Sequence, residues 1–254
     1  MSKKLIFFDI DGTLVSHVGK SHIPAPTIQA VKALAENGHV PAIATGRNLA
    51  MTRKVAAFFD IDLVVSCNGA HVTRLATGCD VYEAWLHDDF VRLFRTEVPL
   101  ISNQSYAFDA EHVYTDCKSG PLDALVAEQA GDGCKKNLAS LERAHLAYIF
   151  STSPGEWAKR TETDVIETPG YTEYRPRGVS KWSGIIRAAA DYGFEPKNII
   201  TIGDGLNDVE MVKNAAIGIA VGGADNSLKA VADLVTDEID EGGILSVFRA
   251  LGMA

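Results

Sequence analysis

Cysteine is scarce in this 254-residue chain, and what there is lacks pattern. Cys67, Cys79, Cys117 and Cys134 form no CxxC pair and match no zinc-site spacing, so neither a redox dithiol nor a thiolate metal site organises the protein. Buried, reduced thiols are the expectation. Long apolar runs are missing as well. After Met1-Ser2-Lys3-Lys4 only four apolar residues precede Asp9, too few for a signal peptide or a membrane span, and a cytoplasmic protein with no membrane partner is expected. There is no cationic excess: 24 basic against 33 acidic residues give a net charge of −9, which argues against nucleic acid as a partner. The seven histidines make no HxxxH pair. Gly203-x-Gly205 and Gly222-Gly223 fall short of the GxGxxG fingerprint, so a dinucleotide site is not supported.

What is present is an ordinary globular composition, 46% hydrophobic and 22% charged, in a chain long enough for one large domain or two modest ones. Short apolar runs suited to buried strands recur at 5–8, 40–44, 63–66, 199–202, 217–221 and 234–235, with helical patterns between many of them, which predicts a parallel α/β sheet. Pro24-Ala25-Pro26-Thr27 opens one helix and Gly38 closes it; another runs from near Asn48 to before Asp62. The middle of the chain reads differently. Residues 70–86 resemble a hairpin turning at Thr77-Gly78, and strands (106–108, 147–150) then mix with helices (88–98, 121–130). Residues 83–175 are therefore expected to form an inserted α+β unit within a core of 1–82 and 176–254. By sequence count the insert holds 9 basic and 16 acidic residues, leaving 15 and 17 for the rest. Its aromatic residues Tyr106, Phe108, Tyr148 and Phe150 are expected in the alternating core of the strands rather than on a ligand-facing surface.

The chemistry concentrates where apolar strands end. The first strand runs into Asp9-Ile10-Asp11-Gly12-Thr13. Residues two apart share a face, so both carboxylates can point to one spot beyond the strand's carboxyl end, where open parallel sheets bind ligands. A second strand runs into Gly203-Asp204-Gly205-Leu206-Asn207-Asp208. Hard cations such as Mg²⁺ take oxygen ligands, so Asp204 is the natural partner of Asp9, while Asp208 also suits the first turn of a helix. A third runs into Thr45-Gly46-Arg47, a hydroxyl and a backbone N–H placed to hold a phosphoryl oxygen before a helix. Lys181, at the start of an amphipathic helix, carries no function on its own.

These four segments, in this order, resemble the haloacid dehalogenase superfamily, specifically its Cof-type phosphatases, over the whole chain. The resemblance implies a Rossmann-like parallel-sheet core with an inserted cap of the C2 type that governs substrate choice, and Mg²⁺ as cofactor. It implies Asp9 as the nucleophile that forms an aspartyl-phosphate, Asp11 as the acid and then the base, and Lys181 as the charge-offsetting cation. Thr45, Gly46, Arg47 and Asn207 would contact substrate; Asp9, the Asp11 backbone carbonyl, Asp204 and Asp208 would hold the metal. Trp182 stands where many Cof-type relatives have glycine, and Gly223 where an asparagine is frequent. The expected partner is a small phosphorylated metabolite, a sugar phosphate or a phosphorylated cofactor. A phosphomutase and a non-catalytic phosphate-binding regulator on the same fold are the competing readings.

Overall fold

The computed structural model describes residues 2–102, 104–117, 120–150, 161–168 and 170–254. With strands numbered along the whole chain, the first sheet contains β1 (Leu5–Phe8), β2 (Val40–Ala44), β3 (Leu63–Ser66), β4 (His71–Arg74), β5 (Cys79–Glu83), β12 (Ile199–Gly203), β13 (Ile217–Ala220) and β14 (Leu234–Val235). Its order is β14-β13-β12-β1-β2-β3-β4-β5. The six strands from β14 to β3 are parallel, and β4 and β5 close the edge as an antiparallel hairpin.

Alternation along β1 explains why its run is apolar without a break. Ile6 and Phe8 join Ile43, Val64, Ile200 and Ile202 on one face, while Leu5 and Phe7 join Ala42, Leu63, Val65 and Ile199 on the other. The first face is covered by α1 (Ala25–Glu36), α2 (Leu49–Phe58) and α9 (Gly243–Ala250), through residues such as Val31, Val55 and Phe248. The second lies under α6 (Lys181–Asp191) and α7 (Val209–Asn214), through Ile185, Ala188 and Met211, with Leu228 of the short α8 (Asn226–Lys229) beside them. This is the two-sided α/β layering expected from alternating strand and helix patterns. Helix α2 begins after Asn48 and ends before Asp62, as expected, and Asp60 in a left-handed conformation (φ 54°) turns the chain toward β3.

The second sheet belongs to the middle of the chain. It comprises β6 (Ser105–Phe108), β7 (Val113–Tyr114), β8 (Lys135–Lys136), β9 (Leu146–Ile149), β10 (Thr163–Thr168) and β11 (Tyr171–Pro176) in the order β10-β11-β9-β6-β7-β8. Helices α3 (Asp88–Thr96), α4 (Val98–Ile101) and α5 (Asp123–Gln129) accompany it. The pleat sorts its side chains: Ala107, Ala147, Ile149 and Tyr174 pack on Phe90 and Phe94 of α3. Tyr106, Phe108 and Leu146 face the other way, in a cluster with Met51, Cys67 and Val179 of the first layer. The β10–β11 hairpin went unread in the sequence, since Thr163–Thr168 and Tyr171–Pro176 carry too many polar residues to stand out as apolar runs.

One contact ties β3 to the start of α6. Cys67, Asn68 and Gly69 follow β3 with φ of 49°, 50° and 96°, a run of left-handed backbone that is costly for the first two residues and free only for glycine. A Cβ on Gly69 would lie 1.9 Å from the Ser180 carbonyl oxygen, one residue before Lys181. Gly69→Ala is therefore expected to lower stability by about 3 kcal/mol through combined strain and overpacking. Gly78→Ala, at φ 64° with nothing within 4 Å, should cost only about 1 kcal/mol. Urea midpoints of the two variants check the contrast; equal shifts would refute it.

Candidate active site

The carboxyl ends of β1, β2, β3 and β12 meet at one place, and a buried ammonium sits at its centre. Lys181, fully buried, opens α6 behind a capping box in which the Ser180 hydroxyl accepts from the Ser183 N–H. Its Nζ donates to Asp9 Oδ1 at 2.7 Å and to Asp208 Oδ1 at 2.6 Å. Burial alone would strip its proton, but the two carboxylates, Asp208 foremost, push its pKa above the ordinary lysine value and keep it charged. The other oxygen of Asp208 accepts from the backbone N–H groups of Asp204 and Gly205, both at 3.0 Å. Asp208 therefore anchors the lysine and shapes the loop after β12 at once.

Three carboxylates converge on this single lysine. One oxygen from each of Asp9, Asp204 and Asp208 lies within 4.8 Å of the others. Burial, followed by the charge of Asp208, pushes Asp204 up to about 6. Burial pushes Asp9 well above the usual carboxylate range, against the pull of Lys181 and with the help of Asp208 and Asp204. Gly12 allows this closeness: at φ 81°, a Cβ there would lie 2.2 Å from Asp204 Oδ2. Thr13 donates to Asp204 Oδ1 at 3.2 Å. An all-oxygen cluster with more negative charge than its lysine can offset fits a hard divalent cation.

Asp11 stands apart from that cluster. Arg47 clamps it with two hydrogen bonds, Nε to Oδ2 at 2.8 Å and Nη2 to Oδ1 at 2.5 Å, and His17 Nε2 lies 2.8 Å from Oδ1. Burial raises its pKa, but Arg47 and then His17 outweigh that and bring it below the ordinary value. Arg47 is itself buried, and its Nη1 has no hydrogen-bond partner among the described residues. A buried guanidinium nitrogen left open beside Thr45 and Gly46 is suited to an anionic oxygen.

A cavity of about 300 Å³ joins these groups: Asp9, Asp11, Thr45, Gly46, Arg47, Asp204 and Asn207 all line it. Asn207 is also held from the side, its Nδ2 donating to Asn68 Oδ1 at 3.1 Å. Asn68 Nδ2 in turn donates to Glu173 Oε1 of β11 at 2.9 Å, linking the two sheets. The sequence reading did not single out His17 or Glu173. His17 is one of seven histidines that form no ligand-spaced pair in the sequence, and its place beside Asp11 depends on the loop after β1 folding back; Glu173 is one of the sixteen acidic residues of 83–175, and only the fold reveals its burial. Trp182 lies partly buried against the second core cluster, beside Ile185 and Ala189 rather than in the cavity wall.

An acidic cluster at the carboxyl ends of a parallel sheet, crossed by a buried lysine and faced by an anion seat, defines a phosphoryl-transfer class of site. The sequence profile of the haloacid dehalogenase-like hydrolases matches residues 6–248. YkrA of Bacillus subtilis (strain 168) is 27% identical over 100% of this chain and 99% of its own length. The 5-amino-6-(5-phospho-D-ribitylamino)uracil phosphatase YcsE of the same organism is 24% identical over 97% and 94%. Among solved structures, the subclass IIB sugar phosphatase BT4131 superposes with a TM-score of 0.82 at 26% identity, covering 99% of this chain and all of that one. The chain belongs to the haloacid dehalogenase-like hydrolase family, and it is an enzyme of the phosphatase kind. No helix among the described residues is long and apolar enough to cross a membrane.

Proposed function

We propose that the protein hydrolyses small phosphate monoesters through an aspartyl-phosphate on Asp9, with Mg²⁺ bound by Asp9, Asp204 and Asp208 and by the Asp11 backbone carbonyl. In the same reading, residues 83–175 act as the cap over a core of 1–82 and 176–254. The observation that carries it is the Lys181 ammonium bridging Asp9 and Asp208, with Asp9 lining a cavity that Thr45, Gly46 and Arg47 also line. The cation would supply charge neutralisation, without which a carboxylate and a phosphate dianion repel.

The residues divide the work. Thr45, the Gly46 N–H and Arg47 hold the phosphoryl oxygens. A carboxylate oxygen of Asp9 attacks phosphorus as the ester P–O bond breaks, and the departing alcohol oxygen takes a proton from Asp11. Water then attacks phosphorus, Asp11 takes back a proton, the bond to Asp9 breaks, and inorganic phosphate leaves. Asp11 is ionised while Arg47 grips it, so the cycle needs that grip to loosen. An arriving phosphoryl dianion competes for Arg47 and brings negative charge beside Asp11, and both changes favour proton uptake.

A phosphomutase would need a second anion seat for a bisphosphate. Beyond the phosphoryl end, the described residues lining the cavity are Met51, Phe108, Leu122, Leu125, Tyr148, Phe150 and Tyr171, with no cation among them. A non-catalytic binder would have no use for Asp11. Steady-state assays on p-nitrophenyl phosphate and a panel of small phosphate esters are expected to show stoichiometric phosphate release that falls at least about a hundredfold with EDTA and returns with Mg²⁺. No turnover with Mg²⁺ would remove the reading, and isomerised hexose phosphate without phosphate release would favour the mutase.

A further inference from the structure

The two walls of the cavity differ in kind. From the β1, β2 and β12 ends come carboxylates, Thr45, Arg47 and glycines. From the second sheet and its margin come Phe108, Tyr148, Phe150 and Tyr171, and from α5 and the residue before it Leu125 and Leu122, with not one charged side chain among them. Strand alternation produces this wall: Tyr148 and Phe150 share a face, and Phe108 of the neighbouring strand lies on the same side. The expectation that these aromatics are core holds for Tyr106 and for Phe108, which is 3% exposed although it also borders the cavity, whereas Tyr148 and Phe150 are only partly buried and line it.

The rings already form an aromatic box. Tyr148 meets Phe108 at 5.7 Å and 80° between planes, and Tyr171 at 5.5 Å and 83°. Phe150 meets Tyr171 at 5.6 Å and 47°. Edge-to-face and tilted contacts of this sort are what a further aromatic ring would extend. The Tyr148 hydroxyl is turned toward the Gly46 end of the cavity, accepting from Asn68 Nδ2 at 3.5 Å.

Resting on the phosphatase reading, we propose that the substrate is a phosphate monoester whose alcohol carries a single flat aromatic or heteroaromatic ring on a short arm, the phosphoryl group seated at Thr45–Arg47 and the ring held among Phe108, Tyr148, Phe150 and Tyr171. A polyhydroxylated sugar would surrender its water to this wall and find few partners for its hydroxyls. Size points the same way. At about 300 Å³ the cavity lies at the bottom of the range of about 300 to 1,000 Å³ usual for small-molecule sites, with room for a phosphoryl group and one ring.

The test holds leaving-group chemistry constant by using only primary alkyl esters. With the full-length enzyme and Mg²⁺, kcat/KM for benzyl phosphate and pyridylmethyl phosphate is expected to exceed that for glycerol 3-phosphate and ribose 5-phosphate at least about tenfold, with cyclohexylmethyl phosphate between. Tyr148→Leu and, separately, Phe150→Leu should each cut the benzyl-to-glycerol ratio about tenfold; Tyr148→Phe, which keeps the ring, should not. Equal or greater efficiency on the sugar phosphates, or variants that lower every ester alike, would overturn the proposal. Calorimetry with benzylphosphonate against methylphosphonate separates it from the phosphatase reading. Ring-dependent binding without turnover of any ester would retain the ligand class and discard the reaction, whereas turnover with no preference for a ring in either assay would do the reverse.

Discussion

Replacing Lys181 with methionine is expected to cost about 3 to 5 kcal/mol of stability and to reduce kcat at least about a thousandfold. The side chain is fully buried, and its ammonium is 2.7 Å from Asp9 and 2.6 Å from Asp208, so methionine fills the volume while leaving two buried carboxylates with no cation. For a chain of this size that loss corresponds to a fall in Tm of roughly 10 °C, at about 2 to 4 °C per kcal/mol. The pKa of the wild-type lysine lies above its ordinary value, so its contribution is complete at every pH below the unfolded lysine range and is lost only at higher pH. The variant should respond to pH more steeply than metal-free wild type. Its carboxylates, no longer held down by a cation, take up protons more readily in the folded than in the unfolded state, so it should recover stability as pH falls from 8 toward 5. Scanning calorimetry across that interval checks the point. A small, pH-independent loss would mean that the lysine is not the counter-charge of the cluster. Mg²⁺ should restore part of the Tm but little of the rate, because in the proposed reaction the ammonium also offsets charge that builds on the phosphoryl oxygens.

Much of this candidate site can be read in the sequence because Asp9, Thr45 and Asp204 each directly follow a buried, largely apolar strand. In a parallel sheet buried on both faces, such a run ends at the surface where ligands collect, so Asp9, Thr45 and Asp204 declare themselves by position. Lys181 is another matter. Nothing in Gly178-Val179-Ser180-Lys181 distinguishes it from a solvated lysine, and only the resemblance to a known motif order singled it out; its burial follows from Gly69 admitting the Ser180 carbonyl. The Asp11–Arg47 clamp was hidden for a different reason. Both residues are in the motifs, but their pairing depends on side-chain direction across 36 positions. The cap was least legible. Alternation shows that Phe108, Tyr148 and Phe150 share a face, yet it does not say whether that face meets helices or a cavity, and in this fold α3 covers the opposite one.

Substitution of Asp9, the proposed nucleophile, should separate function from stability in opposite directions. Asp9→Asn is expected to abolish turnover, by at least about 10⁴-fold, since an amide cannot form the aspartyl-phosphate and the remaining groups act as a unit with it. The same change should make the metal-free protein more stable at pH 8. Asparagine can still accept from Lys181 through its oxygen, so the hydrogen bond survives while one of three crowded carboxylates is removed. The sign follows from the pKa shifts: Asp9 lies well above the usual range, mainly through burial, and Asp204 is pushed up to about 6. A carboxyl group whose pKa is higher in the folded than in the unfolded state opposes folding above its folded pKa, and that opposition fades as pH falls toward the ordinary value near 4. Metal-free wild type should therefore gain stability between pH 8 and pH 5, and the advantage of the variant should shrink over the same interval. Mg²⁺ should reverse the order at pH 8, stabilising wild type more than the variant, because a cation bound only by the folded state adds its binding energy to folding. Were the metal-free variant less stable than wild type at pH 8, the three carboxylates would not be in electrostatic excess, and the argument for a divalent cation at this cluster would lose its physical basis.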